Sequence, residues 1–119
     1  MSLKAYQQAQ HAAEPPRETE YRLFAQVTRA LIEAGERESR DARLFDALDW
    51  NRRLWSTLSS DCGASGNQLP KDLRAQIISI GLWVSRYSSD VARGKADIDA
   101  LIDINRTIME GLAAQNRPG

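Results

Sequence analysis

Apolar residues return every three or four positions along most of the chain, and four stretches of this helical rhythm are separated by glycine, proline and small polar residues. Tyr21, Phe24, Ala25, Thr28, Leu31 and Ile32 form the first stripe, with Glu18 and Glu20 near the favourable end of the helix dipole and Gly35 as a natural stop. Ser39 is placed to cap a second helix, with Asp41 in its first turn. Its face is Leu44, Leu48, Asn51, Trp55, Leu58 and Cys62, and it closes near Gly63. Pro70 suits the first position of a third helix, with Asp72 just inside and Gly94 as its stop. Asp97 is placed to cap a fourth, whose face is Ile98, Leu101, Ile102, Asn105, Met109 and Leu112, before Arg117-Pro118-Gly119 ends it. No segment shows the strict alternation of a half-buried strand.

The expected fold is therefore all-α, a four-helix bundle-like single domain with short connections between antiparallel neighbours. Residues 1–16, rich in Gln and Ala and ending in Glu14-Pro15-Pro16, form a poor core and are expected to be a mobile N-terminal arm. The helical domain then spans 17–116. A chain of 119 residues buries roughly two thirds of its unfolded surface, enough to fold without staples.

The third helix carries more apolar surface than one core stripe uses. At about 100° per residue, Leu73, Ile77, Ile80, Val84, Tyr87 and Val91 share one stripe, while Ile78 and Leu82 project away from it. Trp83 on this helix, Trp50 on the second, and Leu23 and Val27 on the first also lie off the centre of their stripes. A helix with neighbours on two sides absorbs such a surplus into the core. Left exposed together, these side chains would instead line a groove for a partner's amphipathic helix.

Composition removes several function classes. Lys and Arg number 16 and so do Asp and Glu, so no global field draws the chain to nucleic acid or an anionic membrane. Cys62 is the only cysteine, which rules out an intrachain disulfide and multi-cysteine metal patterns, and fits a reducing compartment. No apolar run is long enough to span a bilayer, and a cytoplasmic protein is expected.

Catalytic chemistry is equally sparse. His11, the only histidine, falls in the weakly patterned arm, and Cys62 has no basic cluster nearby to activate it. Asp46 with Asp49, and Asp99 with Asp103, sit at helical spacing but lack the further ligands of a metal site, and read as solvated faces. Gly63 and Gly66 lack the context of a phosphate-binding loop. The expectation is no enzyme, no catalytic residue, no cofactor and no metal.

Arg52 and Arg53 beside Trp50 and Trp55 are the pairing that single-stranded RNA binding would use. The two tryptophans stand about 140° apart on the helix, however, and cannot form one stacking platform. Asn51 and Asn105 each interrupt an apolar stripe; the plain reading is that they satisfy each other or the backbone.

The string Asn51-Arg52-Arg53-Leu54-Trp55, followed after the loop by Leu69-Pro70-Lys71-Asp72-Leu73-Arg74-Ala75-Gln76-Ile77-Ile78-Ser79-Ile80-Gly81-Leu82-Trp83-Val84, resembles the bacterial flagellar protein FlaF family. Ala5-Tyr6, Pro16-Arg17-Glu18-Thr19-Glu20 and Leu101-Ile102-Asp103-Ile104-Asn105-Arg106 fit the same family, so the resemblance covers nearly the whole chain. The archaeal protein of the same name is unrelated. The resemblance implies a role in flagellum biogenesis in alphaproteobacteria, as a flagellin-binding export chaperone that promotes flagellin synthesis and secretion, commonly opposite a translational regulator called FlbT. Older accounts of the family imply the alternative, an RNA-associated post-transcriptional regulator of flagellin messenger.

No motif of the family fixes binding residues, so the expected site comes from the wheel alone. Trp50, Ile78, Leu82 and Trp83 are expected to line a groove edged by the second and third helices, with Arg52, Arg53, Arg74 and Arg86 on its rim. Flagellin is the expected partner and a FlbT-like regulator a second. RNA is the weaker reading, a membrane is not expected, and a homodimer seam is the third use of the same surface.

Overall fold

Four helices, α1 (Pro16–Glu36), α2 (Ala42–Gly63), α3 (Lys71–Ala92) and α4 (Asp99–Asn116), account for nearly all of the residues that the computed structural model describes, namely 16–37, 40–64, 66 and 69–116. No strand occurs among them. The four periodic stretches of the sequence are these four helices. The arm expected over 1–16 lies outside the described residues apart from Pro16, which opens α1.

Local chemistry shifts two of the expected boundaries. Asp41, not Ser39, caps α2: its backbone is extended and its carboxylate accepts from the Arg43 N–H at 3.1 Å, while its carbonyl accepts from Leu44 N–H at 3.1 Å. Arg37 donates to the same carboxylate at 3.0 Å, and this bond holds the Asp41 carboxyl below its ordinary pKa. Ser39 itself lies outside the described residues. Pro70 stands one place earlier than expected, at the cap of α3, where its missing N–H costs nothing. Asp97 accepts from Asp99 N–H at 3.0 Å at the head of α4, as expected.

Side-chain meeting points fix the order and direction of the helices. Gly35 meets Ile98, and Thr28 meets Asn105, so α1 and α4 run antiparallel. Phe24 meets Trp55 while Ala34 and Ala47 line one cleft, which sets α2 antiparallel to α1; Arg52 reaches Ser85 and Ser89 while Ser59 abuts Gly81, which sets α3 antiparallel to α2. The helices are thus arrayed in the order α4, α1, α2, α3, and α3 touches α4 only marginally. α1 and α2 are central, with neighbours on both flanks. For that reason Val27, off the centre of its stripe, is fully buried.

The core gathers Phe24, Leu31, Leu48, Trp55, Leu58, Ile77, Val84 and Leu101. Phe24 meets Trp55 edge to face, with centroids 5.5 Å apart and planes at 84°, an arrangement that adds about 0.5–1.5 kcal/mol beyond area burial. Among these apolar groups lies a polar cluster. Asn105 accepts from the Trp55 indole N–H at 2.8 Å and donates to Asn51 Oδ1 at 2.7 Å and Thr28 Oγ1 at 3.2 Å. The two asparagines bond to each other through Asn51 Oδ1 alone, and Asn51 Nδ2 is left without a partner.

The approach of α2 to α3 depends on small residues. A methyl group on Gly81 would overlap Ser59 Oγ, itself buried and unpartnered, but would sit 3.5 Å from Ser59 Cβ, an ordinary contact. Gly81→Ala alone must turn the hydroxyl, whereas in a Ser59→Ala background the obstacle is gone. The double variant is expected to gain about 1 kcal/mol from helix propensity, raising Tm by several degrees, and the single Gly81→Ala variant less. Thermal unfolding of the two variants and of Ser59→Ala checks this ordering.

Candidate docking surface

The large apolar side chains that solvent reaches are spread over three helices: Tyr21 and Leu23 on α1, Phe45 and Trp50 on α2, and Leu82 on α3. Leu82 is the most exposed of them at 65%, and Trp50 is 42% exposed. Trp55, five residues on, is buried in the core, as the wheel separation of the two rings requires.

The four residues expected to share one groove stand on three different flanks. Ser59 and Arg52 mark the flank of α2 that faces α3, and Trp50 falls on the opposite flank, beside Ala47 and against α1. On α3, Gly81, Ser85 and Ser89 mark the flank toward α2, and Ile78 and Leu82 border it, Ile78 half-buried against the core. Trp83 projects about 100° further round, where it stacks on Tyr87 with centroids 4.7 Å apart and planes at 26°. Tyr87 in turn donates to the Asp97 carbonyl at 2.7 Å, which ties this pair to the connection before α4. Trp83 is half-buried and packed on the core.

The arginines divide similarly. Arg52 is a strut between helices, donating to Ser89 Oγ at 3.1 Å and to the Ser85 carbonyl at 3.5 Å. Arg53 is exposed and paired with Asp49 at 3.0 Å, one turn back on α2. Arg74 is half-buried with its Nε enclosed, and Arg86 is exposed.

A groove lies between α1 and α2. It encloses about 430 Å³; Ala30, Ala34 and Ala47 make its apolar floor and Trp50 stands at one side. Glu33, Arg37, Arg43 and Asp46 surround it with both signs of charge. Arg37 pairs with Asp41, and Arg29 with Glu33 at 3.2 Å; exposed pairs of this kind stabilise by at most about 1 kcal/mol. The sequence signal for this groove was the alanine spacing on α1 and α2 facing the off-stripe Trp50, which large-residue wheels pass over. Two further clefts flank α4, one with Ile32 and Ile102 of about 390 Å³ and one with Tyr21 and Met109 of about 320 Å³.

Among the described residues no three His, Cys, Asp or Glu side chains gather as a metal would need, and no helix is long and apolar enough to cross a membrane. A family model described as flagellar protein FlaF matches residues 2–112. The chain belongs to the FlaF family. It is accordingly a flagellar protein, and the FlaF match takes in residues 2–15 as well as all of α1, α2 and α3 and most of α4. No curated protein and no solved structure matches the chain.

Proposed function

We propose that this FlaF-family chain is a non-enzymatic, cytoplasmic export chaperone that takes up one amphipathic helical segment of flagellin in the α1–α2 groove and so keeps flagellin from polymerising before secretion. The observation that carries the reading is the groove itself: a floor of small apolar side chains between two helices, an exposed tryptophan at its side and a charged rim. A partner helix lays its apolar face into such a floor, and an aromatic anchor supplies much of the affinity. The mixed rim charges then set orientation more than strength.

The RNA-regulator reading draws less support. It needs Arg52 and Arg53 available to phosphate, and Arg52 is engaged with α3 while Arg53 faces Asp49. In the chaperone reading, a FlbT-like regulator acts as a second partner on another surface, and a homodimer through Leu82 is a separate association that sedimentation without flagellin detects.

Titration of flagellin with Trp50→Ala and Leu82→Ala variants tests the groove. Trp50→Ala is expected to weaken binding at least tenfold, about 1.4 kcal/mol, with the helical signal unchanged, and Leu82→Ala to leave it within about twofold. Loss confined to Leu82→Ala would move the site to α3. No effect from either would refute the groove, and binding of the messenger leader that falls steeply with salt would favour the regulator.

A further inference from the structure

The chain has no net formal charge, but its charges are unequally shared between the helices. Residues 71–95, which hold α3 and the turn after it, carry Lys71, Arg74, Arg86, Arg93 and Lys95 against only Asp72 and Asp90. Residues 97–116, which hold α4, reverse the balance, with Asp97, Asp99, Asp103 and Glu110 against Arg106 alone. α3 and α4 are the two ends of the helix array, so each sign gathers at its own edge of the molecule. Among the described residues, the ion pairs lie on α1, α2 and the connection between them, and no side chain of α3 or α4 joins one. Both excesses are therefore free to act on another molecule.

Each edge also offers apolar surface. On α3, Leu82 is 65% exposed; Lys71, Ala75 and Arg86, all exposed, point within about 40° of it, and Arg93 follows at the helix end. This is the outer face of a basic amphipathic helix. At the other edge, the two clefts between α1 and α4 adjoin at Arg106, which lines both and makes them one trough. Its apolar lining is Ile32 and Ile102 in one half and Tyr21, Met109 and Ala113 in the other. Glu36, Asp99 and Asp103 stand beside the first half and Glu110 beside the second, all of them exposed. An acidic trough with an apolar lining is complementary to a basic helix that carries an aliphatic anchor.

We propose that the chain associates with itself head to tail, the Leu82 face of α3 in one copy seated in the α1–α4 trough of the next. The two surfaces lie at opposite ends of the helix array and so meet only between copies. A two-fold seam through Leu82 would instead set like charge on like. In an antiparallel pair centred there, Arg93, eleven residues after Leu82, comes opposite Lys71 of the second copy, eleven residues before it. In a parallel pair Arg86 meets its own counterpart. Head-to-tail contact brings Lys71, Arg86 and Arg93 to carboxylates, and it leaves one unused face at each end, so copies add in chains or rings. The association goes beyond the chaperone reading and needs no flagellin.

Sedimentation velocity of the full chain without flagellin reads the association. At about 0.05 M salt the weight-average sedimentation coefficient is expected to rise with protein concentration, and raising salt to about 0.5 M to weaken self-association at least about tenfold. Two variants separate the surfaces. Leu82→Glu puts a carboxylate on the α3 face, and Asp103→Arg/Glu110→Arg reverses the trough; all three positions are exposed, so the helical signal is expected to stay unchanged. Each variant alone is expected to self-associate at least about tenfold more weakly. Mixed in equal amounts, they are expected to form a complex of one copy of each and nothing larger, because one keeps its trough and the other its α3 face. Head-to-tail association is refuted if the wild type stays monomeric at low salt across the concentration range, or if the mixture forms no complex. It is equally refuted if either variant alone associates as the wild type does, and for the trough variant that result is the mark of a two-fold Leu82 seam.

Discussion

Asn105→Ala is expected to lower the unfolding free energy by about 3–4 kcal/mol, a large part of the roughly 5–15 kcal/mol that a domain of this kind possesses. Asn105 is fully buried and makes three side-chain bonds, accepting from Trp55 and donating to Asn51 and Thr28. Truncation strands the Trp55 indole N–H and the Asn51 carbonyl oxygen away from water, each at a cost of about 1–3 kcal/mol. It also leaves a cavity where three helices meet. Thr28 keeps only its long contact to Met109 Sδ at 3.9 Å.

Two further variants divide these costs. Asn105→Leu refills the space but restores no acceptor for Trp55, so it is expected to recover no more than about 1 kcal/mol. Adding Asn51→Leu removes one stranded acceptor together with an amide donor that has no partner in the native protein, so the double variant is expected to be more stable than the sum of its parts. Urea unfolding gives the free energies, and the Trp55 indole proton resonance reports whether its bond is lost. A loss below about 1 kcal/mol for Asn105→Ala would mean that water replaces the amide and that the cluster is not sealed. The cluster joins α1, α2 and α4 at one height, so an apolar replacement stable in isolation is also expected to loosen their register.

That cluster was legible in the sequence because Asn51 and Asn105 interrupt otherwise apolar stripes, and helical periodicity shows which positions face inward whatever they face. The same periodicity located all four helices and separated Trp55 from Trp50. It does not say which neighbour covers a stripe. α3, with the richest apolar run, reads as a central helix but stands at the end of the array, and Leu82 is exposed because nothing lies beyond it. Val27 reads as surplus and is core, because α1 has neighbours on both flanks. Arg52 reads as a rim charge, and only the antiparallel pairing of α2 with α3 brings it to Ser85 and Ser89. Trp83 reads as exposed when only stripe positions are weighed, although its i, i+4 spacing to Tyr87 already puts the two rings side by side on the helix. The choice of Asp41 over Ser39 as cap was similarly hidden, since either residue type can fill the role and the turn geometry decides.

Gly94→Ala is expected to cost about 2–3 kcal/mol, although the substitution adds one methyl group to an exposed connection. α3 ends in a turn where Lys95 N–H donates to the Asp90 carbonyl at 2.8 Å and Gly94 N–H to the Val91 carbonyl at 3.0 Å, the paired bonds of a Schellman motif. That motif holds Gly94 at a φ of 75°, which costs an L residue roughly 1–2 kcal/mol. The new methyl would also meet the Arg40 guanidinium, whose Nη2 donates to the Ala92 carbonyl and so ties the α1–α2 connection to the end of α3. The backbone and side-chain parts are separable. Arg40→Ala removes the obstruction, so in that background Gly94→Ala retains only the backbone cost, and the difference between the two backgrounds measures the tie. Gly94→Asn tolerates the left-handed conformation but keeps the collision, and is expected to fall between wild type and Gly94→Ala. Equal losses in both backgrounds, measured by urea unfolding, would show that Arg40 yields freely to the new methyl.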